Sequence, residues 1–237
     1  MAKRVQVSKG SRNGKAQKEV RQLVEKTKTY SLVEATELVK KTNTVKFDSS
    51  VEVHLRLGID PRKGDQQVRG AVSLPHGTGK TVRIAAFVST ENEAAVKAAG
   101  ADLVGSDELI EEIRKTEKTD FQVAVAEPAL MRNLAVIAKI LGTRGLMPSP
   151  KNETVTPDPV KAVTELKKGK VSFKNDETAN IHVAIGKVSF SNEQLADNFQ
   201  ALIDAIKKSK PASSKGAYIK GATICSTMGP GIRVSLS

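Results

Sequence analysis

The chain has 237 residues, 39% hydrophobic and 27% charged, which suits one large domain or two and excludes a wholly disordered polypeptide. Lys and Arg number 38 against 26 Asp and Glu, a net charge of +12, so polyanions lead the expected partners. Cys225 is the single cysteine, which excludes an intramolecular disulfide and a cysteine-rich metal knuckle, and no apolar run approaches the ~20 residues of a membrane helix.

Along the chain, residues 1–15 are rich in Gly, Ser, Asn, Lys and Arg and read as a mobile basic arm; no apolar core follows Met1-Ala2-Lys3-Arg4, so it is not a secretory signal and a cytoplasmic location is expected. From Ala16, Val20, Leu23 and Val24 recur at helical spacing. Ser31 with Glu34 three later forms a capping box for a second helix carrying Leu32, Ala35, Leu38 and Val39. Residues 51–59 then alternate, with Val51, Val53, Leu55, Leu57 and Ile59 on one face and Glu52, His54 and Arg56 on the other, the pattern of a half-buried strand. After the turn at 60–65, residues 68–74 return as a strand, and Pro75-His76-Gly77-Thr78-Gly79 breaks the pattern.

Residues 82–140 read strand, helix, short strand, helix, strand, helix, a rhythm that implies a small parallel sheet covered by helices. Pro157 and Pro159 open a further helix that ends at Gly169. Strands at 170–174 and 180–185 follow, then a helix capped by Ser191 and Gln194 with the stripe Leu195, Phe199, Leu202 and Ile206, and a terminal strand pair at 218–226 and 232–236.

The charge is unevenly spread. Residues 1–76 hold 16 basic and 8 acidic side chains, residues 168–237 hold 10 and 5, and residues 77–167 hold 12 and 13. The whole surplus lies in the two ends. The expected organisation is therefore α/β with two domains: a split α+β domain made from 1–76 and 168–237, and an inserted α/β domain at 77–167, with crossings at Gly77 and Gly169 able to act as a hinge.

Gly77-Thr78-Gly79-Lys80-Thr81 ends like a phosphate-binding loop, the basis of an alternative reading as a nucleotide-binding enzyme. Leu74 occupies the position of the required glycine, and the turn leads into a strand pattern where a helix N-terminus is needed, so a glycine hinge is the better reading. Glu52 and His54 share a strand face, but two ligands do not make a metal site. Neither a catalytic constellation nor an aromatic sheet signature for reading bases is present, and no cofactor is expected. The polar loops remain. Ser226-Thr227-Met228-Gly229-Pro230-Gly231 offers hydroxyls, an adaptable Met and a backbone open to close approach, which suits a nucleic-acid sugar and phosphate surface and equally a plain tight turn between two strands; in Lys46-Phe47-Asp48-Ser49-Ser50, Phe47 fits either the core or a ribose and base, and its charged neighbours favour a sheet edge.

Lys46-Phe47-Asp48, Val51-Glu52-Val53-His54, Leu57-Gly58-Ile59-Asp60-Pro61-Arg62, Leu74-Pro75-His76-Gly77, Gly142-Thr143-Arg144-Gly145-Leu146-Met147-Pro148, Asn180-Ile181-His182 and Ser226-Thr227-Met228-Gly229-Pro230 together resemble the bacterial L-one family of large-subunit ribosomal proteins. The resemblance implies a domain from both chain ends that binds 23S-type ribosomal RNA and an inserted Rossmann-like three-layer domain without a nucleotide. It also implies a place in the mobile stalk near the E site, contact with the departing deacylated tRNA, and repression of the protein's own operon mRNA. The free protein is expected to be a monomer, and its place the ribosome of the cytoplasm. By the same resemblance the RNA contacts are Lys46, Phe47, Ser50, Glu52, His54, Lys174, Asp176, Ser226, Thr227, Met228 and Gly229, with Glu52 accepting from a sugar hydroxyl. Two positions depart from the family pattern: Glu177, where a basic residue is usual, and Ser149, where Asn is usual.

Overall fold

The computed structural model describes residues 12–25 and 27–236. Most of the expected basic arm lies outside them. Helix α1 (Arg12–Gln22) starts four residues before the expected Ala16, since its first residues, Arg-Asn-Gly-Lys, offer no apolar side chain for a periodicity to register. Helix α2 (Leu32–Lys41) has the capping box: the Glu34 amide donates to Ser31 Oγ at 3.4 Å and the Ser31 amide to Glu34 Oε2 at 3.2 Å. Strand β1 (Ser50–Leu57) follows, then β2 (Arg69–Ser73). Next come β3 (Ile84–Phe87), α3 (Thr90–Ala98), β4 (Leu103–Gly105), α4 (Asp107–Thr116) and β5 (Val123–Ala126).

The single helix expected over 128–140 is instead segmented into a 3-10 turn, α5 (Met131–Leu134), a second 3-10 turn and α6 (Ala138–Thr143). Three residues per turn keep Leu134 and Ile137 on one side, and Leu141 follows them into the core, so burial tolerates the tighter winding. Helix α7 (Pro159–Lys167) begins with Pro at its first position. It is followed by β6 (Lys170–Lys174), β7 (Asn180–Lys187), α8 (Asn192–Lys208), β8 (Ile219–Ser226) and β9 (Ile232–Val234). No described helix is long and apolar enough to cross a membrane.

The fold is mixed α/β with an antiparallel and a parallel sheet. The antiparallel sheet has the order β7-β1-β8-β9 and is assembled from both ends of the sequence. Its inner face carries Val51, Val53, Leu55 and Leu57 against Ala35 and Val39 of α2 and Leu195, Phe199, Leu202 and Ile206 of α8, all in one buried cluster. The α8 capping box is made as expected, Gln194 and Ser191 exchanging bonds of 3.1 and 2.9 Å. On the other face of this sheet Glu52, His54, Thr223 and Cys225 stand partly exposed.

The parallel sheet has the order β4-β3-β5 and is covered on both sides. Ala85 and Phe87 point into a cluster with Ile110, Ile113, Leu134, Ile137 and Leu141, while Ile84 and Ala86 point into another with Val96, Ala162, Val163 and Leu166. That is the burial a parallel sheet requires, and it explains the uninterrupted apolar run of β3.

Strand β2 does not join the large antiparallel sheet but pairs with β6 in a separate two-stranded one. Asn175 sets this pairing, its side chain accepting from the Val68 amide at 2.8 Å. The Phe173 ring lies over Gly70, where an added Cβ would come within 3.0 Å of it. Next to this ribbon the chain crosses between the cores twice, at Gly77 (φ 66°) and Gly169 (φ 105°). A Cβ on Gly169 would fall 2.4 Å from the Gly77 Cα, so the two crossings touch backbone to backbone.

Candidate nucleic-acid interface

Pairing of β1 with β8 puts Val51 opposite Ser226, so the segment preceding β1 and the turn following β8 share one end of the sheet. Thr227 ties them: its amide donates to Ser50 O at 3.0 Å, and its hydroxyl bonds both the Ser50 amide and the Ser50 carbonyl at 3.2 Å. Beyond it Met228 adopts a left-handed conformation (φ 68°), and the Gly229 amide returns to Ser226 O at 2.8 Å. Glycine is required at 229 because a Cβ would lie 2.3 Å from Ser226 Oγ.

What this tip presents is unusual for a basic protein surface. Phe47 is 59% exposed and Met228 69% exposed, large apolar side chains at the same end of the sheet, with Lys46 exposed beside Phe47. The Phe47 loop is anchored from below: Asp48 accepts from the Ser189 amide and hydroxyl at 3.2 and 2.9 Å, and Lys187 Nζ donates to Asp48 O and Ser50 Oγ at 3.1 and 3.3 Å. On the other side Gln17 of α1 donates to Met228 O at 3.2 Å. Sequence reading passed over Lys187, Ser189 and Gln17, since their link to the tip depends on contacts across more than a hundred residues.

Not every expected contact residue faces outward. Ser50 and Ser226 are buried, Ser226 at 1%, and among the described residues Ser226 Oγ is buried without a hydrogen-bond partner. Strand parity holds the signal for this, because Ser226 has the same parity as the buried Ala222 and Ile224. Glu52 and His54 lie on the outward face further along β1. Lys174 and Asp176 belong to the opposite end: Asn180 pairs with Arg56, six residues and roughly 20 Å along the strand from Ser50. Lys174 pairs with Arg69, two exposed cations side by side. The Asp176 carboxylate accepts from the Thr178 and Asn180 amides at 2.9 and 2.7 Å and from the Thr178 hydroxyl at 2.7 Å. Those bonds, led by the Thr178 hydroxyl, hold it well below the usual carboxylate range.

On the face itself, His54 Nδ1 is 2.7 Å from His182 Nδ1 and His54 Nε2 is 3.1 Å from Cys225 Sγ. Burial, and then the neighbouring His182, push the His54 imidazole below its usual value, while Glu52 acts the other way. Burial, aided by Glu52, pushes the Cys225 thiol up to about 11. A neutral imidazole and a protonated thiol therefore share this patch near pH 7. The sequence offered Glu52 and His54 as a pair of ligands; strand register adds Cys225 to them.

The Gly77–Thr81 turn runs directly toward β3, so no helix N-terminus stands behind it to hold a phosphate. A Cβ on Gly79 would meet Lys187 and Phe190 at 2.9 and 3.0 Å, and the turn is packed against the β7–α8 connection.

A family model for the "Ribosomal protein L1p/L10e family" matches residues 39–230. The chain is 52% identical over 227 residues to the large ribosomal subunit protein uL1 of Mycolicibacterium vanbaalenii, covering 96% of each. It is 51% identical over 224 residues to the protein of the same name from Corynebacterium glutamicum, covering 94% of each. A similar match, 52% over 224 residues, is found with that of Corynebacterium efficiens.

Proposed function

The chain belongs to the ribosomal protein L1p/L10e family, and from that premise we propose that it is a component of the large ribosomal subunit whose work is to hold ribosomal RNA. It is not an enzyme: its relatives are ribosomal proteins, and the glycine turn that suggested a nucleotide leads into a strand. The observation that carries the RNA reading is the tip of the antiparallel sheet. Two large apolar side chains, Phe47 and Met228, are exposed on a hydrogen-bonded frame in the part of the sequence that holds the whole positive surplus. Phosphates supply attraction to Lys46 and its neighbours, while Phe47 and Met228 lie against sugar and base. In this reading Thr227, Ser50, Ser226 and Gly229 shape the tip, and Glu52 and His54 extend the surface along β1. Lys174, with Arg69, adds a phosphate-facing patch at the far end, where Asp176 builds the turn.

The same reading divides the molecule into two domains, 1–76 with 168–237 and 77–167, supported by the separate buried clusters and the two glycine crossings. Gly77 and Gly169 then serve as the hinge. Placement at the stalk near the E site, contact with departing tRNA, binding of the protein's own mRNA, a monomeric free state and a cytoplasmic ribosomal location follow from family resemblance.

The test is binding of the purified protein to the stalk fragment of large-subunit ribosomal RNA and to an unrelated duplex across a salt series. Selective binding that survives moderate salt is expected, with a slope near −0.9 for each phosphate neutralised if duplex DNA is the guide. Equal and steeply salt-sensitive binding to both RNAs would reduce the interaction to net charge. Scattering profiles that fit one rigid body both with and without RNA would remove the hinge.

A further inference from the structure

The outward face of the antiparallel sheet carries a second chemistry. Glu52 and His54 are two apart on β1 and so share a face. Cys225 is the partner of Glu52 in the β1–β8 ladder, and His182 is the partner of His54 in the β1–β7 ladder. Cross-strand partners on one face are within side-chain reach of each other. As a result a Glu52 carboxylate oxygen, a His54 ring nitrogen and Cys225 Sγ lie within 4.8 Å of one another, the one such cluster among the described residues. In a tetrahedral zinc site with bonds of about 2.0–2.3 Å, ligand atoms stand roughly 3.3–3.6 Å apart. Side-chain adjustments on the order of 1 Å close the set.

We propose that Glu52, His54 and Cys225 form a binding site for a zinc-class divalent cation, with a fourth position open to solvent. The donor set selects the class. Thiolate and imidazole suit zinc and its neighbours, whereas magnesium and calcium take oxygen ligands. All three residues are half-buried, and a groove of about 760 Å³ lined in part by His54, His182 and Thr223 reaches the His54 side of the cluster.

The surroundings of His54 supply independent support. His182 Nδ1 is 2.7 Å from His54 Nδ1, and His182 Nε2 is 3.5 Å from Asp176 Oδ2. With the proton of His182 on Nε2, facing the carboxylate, its Nδ1 accepts from the Nδ1–H of His54. The His54 Nε2 lone pair is then left facing Cys225 and Glu52. Chains of carboxylate and imidazole behind a ligating histidine orient metal sites in this way.

The experiment uses the full reduced chain without RNA, titrated with Co²⁺ as a spectroscopic probe and then with Zn²⁺ as competitor. One equivalent of Co²⁺ should give a tetrahedral visible spectrum with a thiolate-to-cobalt charge-transfer band, which Zn²⁺ displaces. Cys225 is the chain's single cysteine, so that band has one possible origin. Cys225→Ser should abolish it while circular dichroism stays unchanged, and zinc affinity should fall at least about tenfold in His182→Ala, which keeps all three ligands. Absence of the band in the wild-type protein, or zinc affinity equal in wild type and Cys225→Ser, would overturn the site.

Discussion

The two larger sheets among the described residues are built from similar apolar residues and put to opposite uses. The parallel sheet is roofed on both sides, so each residue of its central strand β3 is buried. Among the described residues the antiparallel sheet packs its core on one side, and alternation along β1 and β8 delivers the partly exposed Glu52, His54, Thr223 and Cys225 to the other. Connection geometry accounts for the difference: parallel strands need crossover helices, which cover both faces, whereas antiparallel strands can leave one bare. In this protein stability can be lost at either sheet, but recognition has a ready platform at only one.

Substitutions that act on one sheet and spare the other sharpen this contrast. The largest effect is expected from Phe87→Ala in the closed sheet. It should cost about 3–5 kcal/mol of unfolding free energy, read from the urea midpoint, because the fully buried ring leaves a cavity between strand and helices. An effect below about 1 kcal/mol would mean that the closed sheet is loosely packed. At the crossing between the cores, Gly169→Ala forces an alanine to φ 105° and 2.4 Å from the Gly77 Cα, and should cost on the order of 1–3 kcal/mol. Gly221→Ala in β8, where an added Cβ meets nothing within 4 Å, is the control and should be nearly silent.

On the open side, Thr227→Ala removes the hydroxyl that joins both strand ends through Ser50 and should weaken RNA binding by about 1–3 kcal/mol, with Thr227→Ser close to wild type. Unchanged affinity would move the interface away from this tip. A smaller change is expected for Lys46→Ala, which should lower the salt-dependence slope by about 1 and affect all RNAs alike. Val136→Ser is the smallest. Val136 is 58% exposed on the middle segment, and both stability and RNA affinity should stay within about 0.5 kcal/mol.

Much of this was legible from sequence. Both capping boxes are made by the residues expected, the β1 alternation sorts inner from outer side chains correctly, and the strand and helix rhythm of the middle segment gives a parallel sheet. The departures have definite causes. A polar first turn hid the start of α1, and 3-10 winding segmented the helix expected at 128–140 because it keeps Leu134 and Ile137 on the same side. Strand β2 took β6 as partner through Asn175 and Phe173, residues that no local pattern connects to it. At the candidate site, Phe47, Met228 and Gly229 were marked by composition, whereas the inward turn of Ser226 needed the parity of its whole strand.

The sequence by itself determined what neighbours along the chain decide: caps set by residues three apart, faces set by periods of two and 3.6, and the sign of the charge on each segment. Only the tertiary structure decided which strands meet and in what register. His54 meets His182 across 128 positions and Cys225 across 171, and a one-residue slip of either ladder would send those partners to the opposite face. That register follows from packing all the inner-face side chains against α2 and α8 at once, a condition on the whole core that no local stretch of the sequence contains.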